Sequence, residues 1–164
     1  MYKVKGKPWA YSGAIDVSDC ATAKEVMLKA GLNFNVAKCE LVGKMPIKLT
    51  GTDEELERII KEQKEGAHVF GTDIYRKCDN AFATYRTDYN IPLGVVKSKY
   101  TIVQNNDAFN FFDDAIGKNS AIWQTAGFWG NGERIFVSAK LPNNILVKGD
   151  PVENYLVFTN THDG

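Results

Sequence analysis

Between Asn105 and Leu141 the hydrophobic period of the chain switches from helical to extended, and this switch restricts the fold more than any other feature. Asn105 or Asn106 reads as a helix cap. Ala108, Phe109, Phe112, Ala115 and Ile116 then fall on less than half of a helical circumference, with Phe111 at its edge. Gly117 ends the pattern. Residues 120–129 and 133–141 alternate instead: Ile135, Val137, Ala139 and Leu141 point one way, and Arg134, Phe136, Ser138 and Lys140 the other. Trp129-Gly130-Asn131-Gly132 joins the two runs, and its Asn-Gly pair predicts a tight turn. An aromatic-rich helix laid across a twisted antiparallel ribbon is the expected centre of the fold.

Upstream, residues 1–17 read as an irregular arm carrying Trp9, Tyr11 and Ile15. Thr22 and Glu25 form a capping box, because a threonine hydroxyl and a glutamate three residues later each satisfy a free backbone N–H. Ala23, Val26, Met27 and Ala30 share a helical face, and Gly31 stops it. Leu32, Phe34 and Val36 alternate with Asn33, Asn35 and Ala37, which predicts a strand. Thr52 and Glu55 open a second, charged helix with an apolar stripe of Leu56, Ile59 and Ile60, ended by Gly66. Strands follow over 67–71, 80–87 and 93–103, with Asn90 and Pro92 in a turn, and 145–148 and 154–160 complete the sheet after Pro142. This order reads as one α+β domain over residues 1–164, with a mainly antiparallel twisted sheet and about three helices.

The charge balance bears on function. Twenty basic residues offset twenty acidic ones, which argues against binding driven by phosphate neutralisation alone. The first fifty residues nevertheless hold eight lysines against four acids, so a basic face is possible there. Cys20, Cys39 and Cys78 are widely spaced, without a Cys-x-x-Cys pair, and only His68 and His162 accompany them. No disulfide framework, metal site or cofactor is expected. No apolar run reaches the roughly 20 residues that span a bilayer, and the lysine-rich start does not resemble a signal peptide. A soluble cytoplasmic chain is expected.

Three groups of residues have the chemistry for a site. Tyr85-Arg86 with Lys97, Lys99 and Tyr100 place cations and aromatics on neighbouring strands, a pattern that tracks a nucleic-acid backbone and stacks bases. The plainer reading is a half-buried strand pair with ordinary cross-strand contacts. His162-Asp163-Gly164 offers an adjacent acid and base, whereas the plainer reading is a turn; catalysis also requires a positioned nucleophile or metal, and no motif supplies one. Trp123, Phe128 and Trp129 near the hairpin are either core or an exposed patch for a protein partner.

Several segments together resemble the phage- and plasmid-like family classed as domain of unknown function 932. They are Pro8-Trp9 with Gly13, Ala30-Gly31-Leu32-Asn33-Phe34, and Tyr85-Arg86 with Asp88. Leu93-Gly94-Val95-Val96, Tyr100, Val103-Gln104-Asn105, Ala108-Phe109 and Phe112 follow. Thr125-Ala126-Gly127, Gly132, Arg134, Leu141-Pro142, Tyr155-Leu156 and Thr159 to Gly164 complete the set. Members commonly carry His-Gly after Pro-Trp, where this chain has Ala10-Tyr11, and continue past His-Asp-Gly, so the chain is expected to be an N-terminal fragment. The resemblance implies a mobile-element setting in a bacterial cell or phage-infected host. With the basic and aromatic strands, that setting points to nucleic-acid handling: single-stranded DNA binding or annealing, as a recombination accessory. The alternative is a non-enzymatic protein-interaction or assembly module, acting by self-association or through another protein. An enzyme stands third, resting on His162 and Asp163.

Overall fold

Three helices and ten strands form among residues 13–46, 51–70, 73–117, 121–143 and 145–164, the stretches that the structure, a computed structural model, describes. Trp9 and Tyr11 of the expected arm, and the side chains of Ala115 and Ile116, lie outside the described residues. The described end of the arm is not irregular: Ile15–Asp16 forms strand β1.

Helix α1 (Ala23–Lys29) begins as its capping box dictates. The Thr22 hydroxyl accepts the Glu25 N–H at 3.2 Å, and the Glu25 carboxylate accepts the Ala21 N–H at 2.7 Å. Gly31, at φ +67°, turns the chain out, while the Leu32 N–H reaches back to the Met27 carbonyl at 2.8 Å. Residues 32–35 are then irregular. Leu32, Phe34 and Val36 are all buried, so the expected alternation holds in burial, but the strand, β2 (Val36–Pro46), starts only at Val36.

β2 pairs antiparallel with the long β4 (Asp73–Arg86), whose other edge carries β3 (His68–Phe70) and β5 (Ile91–Lys97). Helix α2 (Asp53–Lys64) accompanies the far end of this sheet. No residue of α2 is buried; Leu56 and Ile60 face solvent, and only Ile59 packs, against a small cluster with Ala67, Val69 and Ile74. The expected stripe on α2 is therefore mostly open. Thr52 makes no side-chain cap, and Glu55 instead accepts the Gly51 N–H at 2.9 Å.

The second sheet has the order β1, β6 (Ile122–Trp129), β7 (Arg134–Lys140), β10 (Tyr155–Thr161), all antiparallel. Helix α3 (Asn105–Ile116) lies across it. Phe109 and Phe112 are buried, and the Phe112 ring meets Trp123 at 5.7 Å and Phe158 at 5.8 Å. The expected centre of the fold is present. The fold is α+β with antiparallel sheets and three helices among the described residues.

Three local expectations are corrected. Trp129 pairs with Arg134, so the hairpin loop holds four residues; Asn131 does not adopt the positive φ that a two-residue Asn-Gly turn needs. Asn105 is the first residue of α3 and not its cap; Gln104 occupies the cap position without a side-chain bond. Residues 145–148 do not join the sheet. Ile145–Val147 (β8) pairs only with Asp150–Val152 (β9), forming a separate two-stranded hairpin. Among the described residues no helix is long and apolar enough to cross a membrane.

Candidate functional site

The two four-stranded sheets meet at a polar joint, built around Phe34 and the last three residues of the chain. Phe34 is buried where the irregular 31–35 segment leads into β2. The Arg86 guanidinium stacks on its ring at 3.9 Å, and the His162 imidazole meets it edge-on at 6.1 Å. Gly132, in the β6–β7 loop, lies so close that a Cβ there would come within 2.7 Å of the ring. A loop of the second sheet and a strand of the first thus grip one phenyl group.

Arg86 is 7% exposed. Its Nε and Nη2 donate to the two Asp88 carboxylate oxygens at 3.1 and 2.7 Å, and its Nη1 donates to the Asn131 carbonyl at 2.8 Å. The forked pairing holds the Asp88 carboxyl below its usual range, chiefly through the hydrogen bonds from Arg86. Arg86 therefore fixes the β6–β7 loop to β4 from within.

Asn105 and Gln104 supply the second set of ties. The Gln104 amide donates to the Val36 carbonyl at 2.8 Å and accepts the Val36 N–H at 3.0 Å, acting as a strand partner for the first residue of β2. Asn105 Nδ2 donates to the Leu32 carbonyl at 3.0 Å, which turns Oδ1 toward His162 Nε2, 2.8 Å away. An amide oxygen only accepts, so Nε2 carries the imidazole proton and Nδ1 holds the lone pair. His162 is fully buried, and Nδ1 has no hydrogen-bond partner. Burial pushes the imidazole below its ordinary value, against an opposing pull from Asp163.

The backbone of the terminal tripeptide closes the joint. The His162 N–H donates to the Glu133 carbonyl at 2.7 Å, and the buried Thr84 hydroxyl donates to the His162 carbonyl at 2.6 Å. Asp163 lies against Gly94 of β5, where a Cβ would meet the Asp163 Cα at 2.5 Å. Its Oδ2 accepts from Arg134 at 3.3 Å, while Oδ1 is buried without a partner. His162 thus turns toward α3 and Asp163 toward Arg134. Each has its own partner on a different element, so the two do not form the acid–base pair that adjacency in sequence evokes.

The five basic and aromatic candidates separate. Register places Tyr85 and Lys97 on one face of the β2–β4–β5 sheet, with Ala37, Ala83 and Val95; Tyr85 is half-buried and Lys97 exposed. Lys99 is exposed in the turn after β5. Arg86, next to Tyr85, points inward. The Tyr100 hydroxyl donates to the Thr161 carbonyl at 2.8 Å, its phenol pushed up by burial and then by Asp163. Lys97 pairs with Ala81, four residues along β4 from Tyr85, so the two share a face without adjoining, and Arg86 and Tyr100 are drawn into the joint. Among the described residues no three His, Cys, Asp or Glu side chains gather as a metal site.

Asn105, Gln104, Thr84, Gly94 and Gly132 are the joint residues that reasoning from residue chemistry did not single out. All but Thr84 stand among the residues that carry the family resemblance. Residues 92–164 match the model of a family described as a domain of unknown function (DUF932). The match covers a little under half of the chain. The matched segment supplies β5 from Pro92, α3, the second sheet from β6 onward and the closing His-Asp-Gly, whereas α1, α2 and β1 to β4 precede it. No curated protein and no solved structure matches the chain.

Proposed function

We propose that the chain is a protein-interaction or assembly module that docks through the β8–β9 hairpin. The supporting observation is the exposure of that hairpin: Ile145, Leu146, Val147 and Val152 are 55, 71, 51 and 43% exposed. Ile145, Leu146 and Val147 are consecutive, so both faces of the ribbon are apolar. A two-stranded hairpin alone is marginal in water, and fully burying each such side chain contributes about 1.5–3 kcal/mol. A partner that encloses the ribbon is the way to gain that energy.

The same geometry weakens the nucleic-acid reading. Arg86 and Tyr100 serve the joint, and Lys44, Arg76 and Lys77 pair with Asp73, Glu62 and Glu40. Of the sequence candidates, Lys97 and Lys99 remain as exposed cations, a small footprint for phosphate binding.

A photoreactive residue at Leu146, in the cells from which the chain comes, should trap discrete protein adducts that are absent when it replaces the exposed Glu54 of α2. Adducts indistinguishable from that control would remove the reading. Anisotropy with a labelled single-stranded oligonucleotide provides the contrast. Salt-sensitive binding abolished by Lys97→Glu with Lys99→Glu would put nucleic-acid handling first.

A further inference from the structure

The edges of the two sheets are not protected alike. β1 has two residues and β3 three; β2 carries Lys38, Glu40, Lys44, Pro46 and a bulge, and β5 has Pro92 and Lys97. Short length, charge, proline and bulges are the devices that keep an open edge from pairing with another chain. β10 has none of them. Its seven residues, Tyr155 to Thr161, include no charge and no proline, and they run in unbroken register along β7. No other described strand pairs with its outer edge.

The ladder shows which groups that edge presents. The His162 N–H bonds the Glu133 carbonyl and the Leu141 N–H bonds the Asn154 carbonyl, so even-numbered residues here exchange bonds with β7. The N–H and C=O groups of Tyr155, Val157, Thr159 and Thr161 therefore point outward. Tyr100 occupies the Thr161 carbonyl. Tyr155, Val157 and Thr159 are left as three evenly spaced bonding positions centred on Val157.

We infer that β10 pairs antiparallel with β10 of a second copy of this chain, across a two-fold axis at Val157. The chemistry is self-complementary. Tyr155 of one copy meets Thr159 of the other, Val157 meets Val157, and all three pairs exchange backbone hydrogen bonds. On the opposite face Leu156, 39% exposed, meets the half-buried Phe158. Since the strand carries no charge, no like charges oppose one another in this register. The second sheets of the two copies become one continuous sheet, and an isologous contact of this kind closes at a dimer. One strand edge is a small interface, so the dimer is a weak one. The proposal deepens the interaction reading by naming one partner, and uses a surface other than the hairpin.

Sedimentation equilibrium between roughly 1 µM and 1 mM, the span suited to a small interface, should show the wild-type mass rising toward twice the monomer. Val157→Lys alone and Val157→Glu alone should each weaken dimerisation by roughly tenfold or more, since like charges then meet on the axis. Mixing the two variants should restore it, and circular dichroism checks that each is folded. A wild type that stays monomeric, variants that still dimerise, or a mixture that does not recover would overturn the pairing. Dimerisation lost with Leu146→Asp but kept with Val157→Lys would overturn it while leaving the hairpin reading intact. Trapped adducts at Leu146 with a monomeric wild type would separate the two in the same way.

Discussion

Replacing Asn105 by alanine should destabilise the protein far more than its size implies. Asn105 is 1% exposed, and its amide holds two elements at once, the Leu32 carbonyl at 3.0 Å and His162 Nε2 at 2.8 Å. The substitution leaves one buried acceptor and one buried donor unpaired, at about 1–3 kcal/mol each. Alanine returns roughly 0.5 kcal/mol through helix propensity, so a net loss of about 2–5 kcal/mol is expected. That is a large share of the roughly 5–15 kcal/mol that ordinarily separates folded from unfolded chains. Urea unfolding followed by tryptophan fluorescence reads it, since Trp123 is buried beside Phe112. Asn106→Ala, one residue on and exposed, should stay within about 0.5 kcal/mol. In a double-mutant cycle with His162→Phe the two losses should fall short of additive by about 1–2 kcal/mol. An Asn105→Ala cost near that of Asn106→Ala, or strict additivity with His162→Phe, would refute the joint as described.

Three further outcomes follow from the same geometry. Burial holds the His162 imidazole below its ordinary value, so in acid the unfolded chain takes up a proton that the folded one does not. Its contribution is full above about pH 6.5 and declines as pH falls toward the folded pKa, by up to about 1.4 kcal/mol per pH unit; His162→Phe should flatten that stretch of a stability-against-pH curve, and an unchanged slope would contradict it. Gly94→Ala, where a Cβ would come within 2.5 Å of the Asp163 Cα, should lower stability by about 1–3 kcal/mol through overpacking and speed amide exchange at residues 161–163; wild-type exchange would count against the close contact. Arg86→Lys loses the planar stack on Phe34 and the fork onto Asp88, so it should cost about 1–3 kcal/mol despite keeping the charge, while the Asp88 carboxyl, measured by NMR, should move up toward the ordinary carboxylate value.

Most elements governed by local rules were legible in the sequence, although the Thr52 cap and the tight Asn131-Gly132 turn did not form. The Thr22–Glu25 capping box formed, and the Phe109–Phe112 face and the alternation through 122–140 gave α3 and the β6–β7 hairpin, because period and capping depend on near neighbours. Elements that depend on a distant partner were not. Adjacent strand residues must face opposite sides, but only the position of Phe34 decides that Arg86 is the one turned inward and Tyr85 the one left outside. Asn105 has the character of a cap, yet Leu32 and His162 claim its amide from elsewhere in the chain. His162 and Asp163 read as a pair in one dimension and part company in three, since α3 and Arg134 draw them to different elements. The apolar run at 145–147 resembles a core strand until the structure shows it bonded to β9 alone.

His162 is an internal strut, neutral and fixed in one tautomer by Asn105. Nitrogen-15 NMR of the imidazole across pH tests it most directly. The folded protein should show a protonated Nε2 and a bare Nδ1, with no titration at the ordinary histidine value. A ring that titrates near 6.5, or carries its proton on Nδ1, would mean that the joint is not built as described.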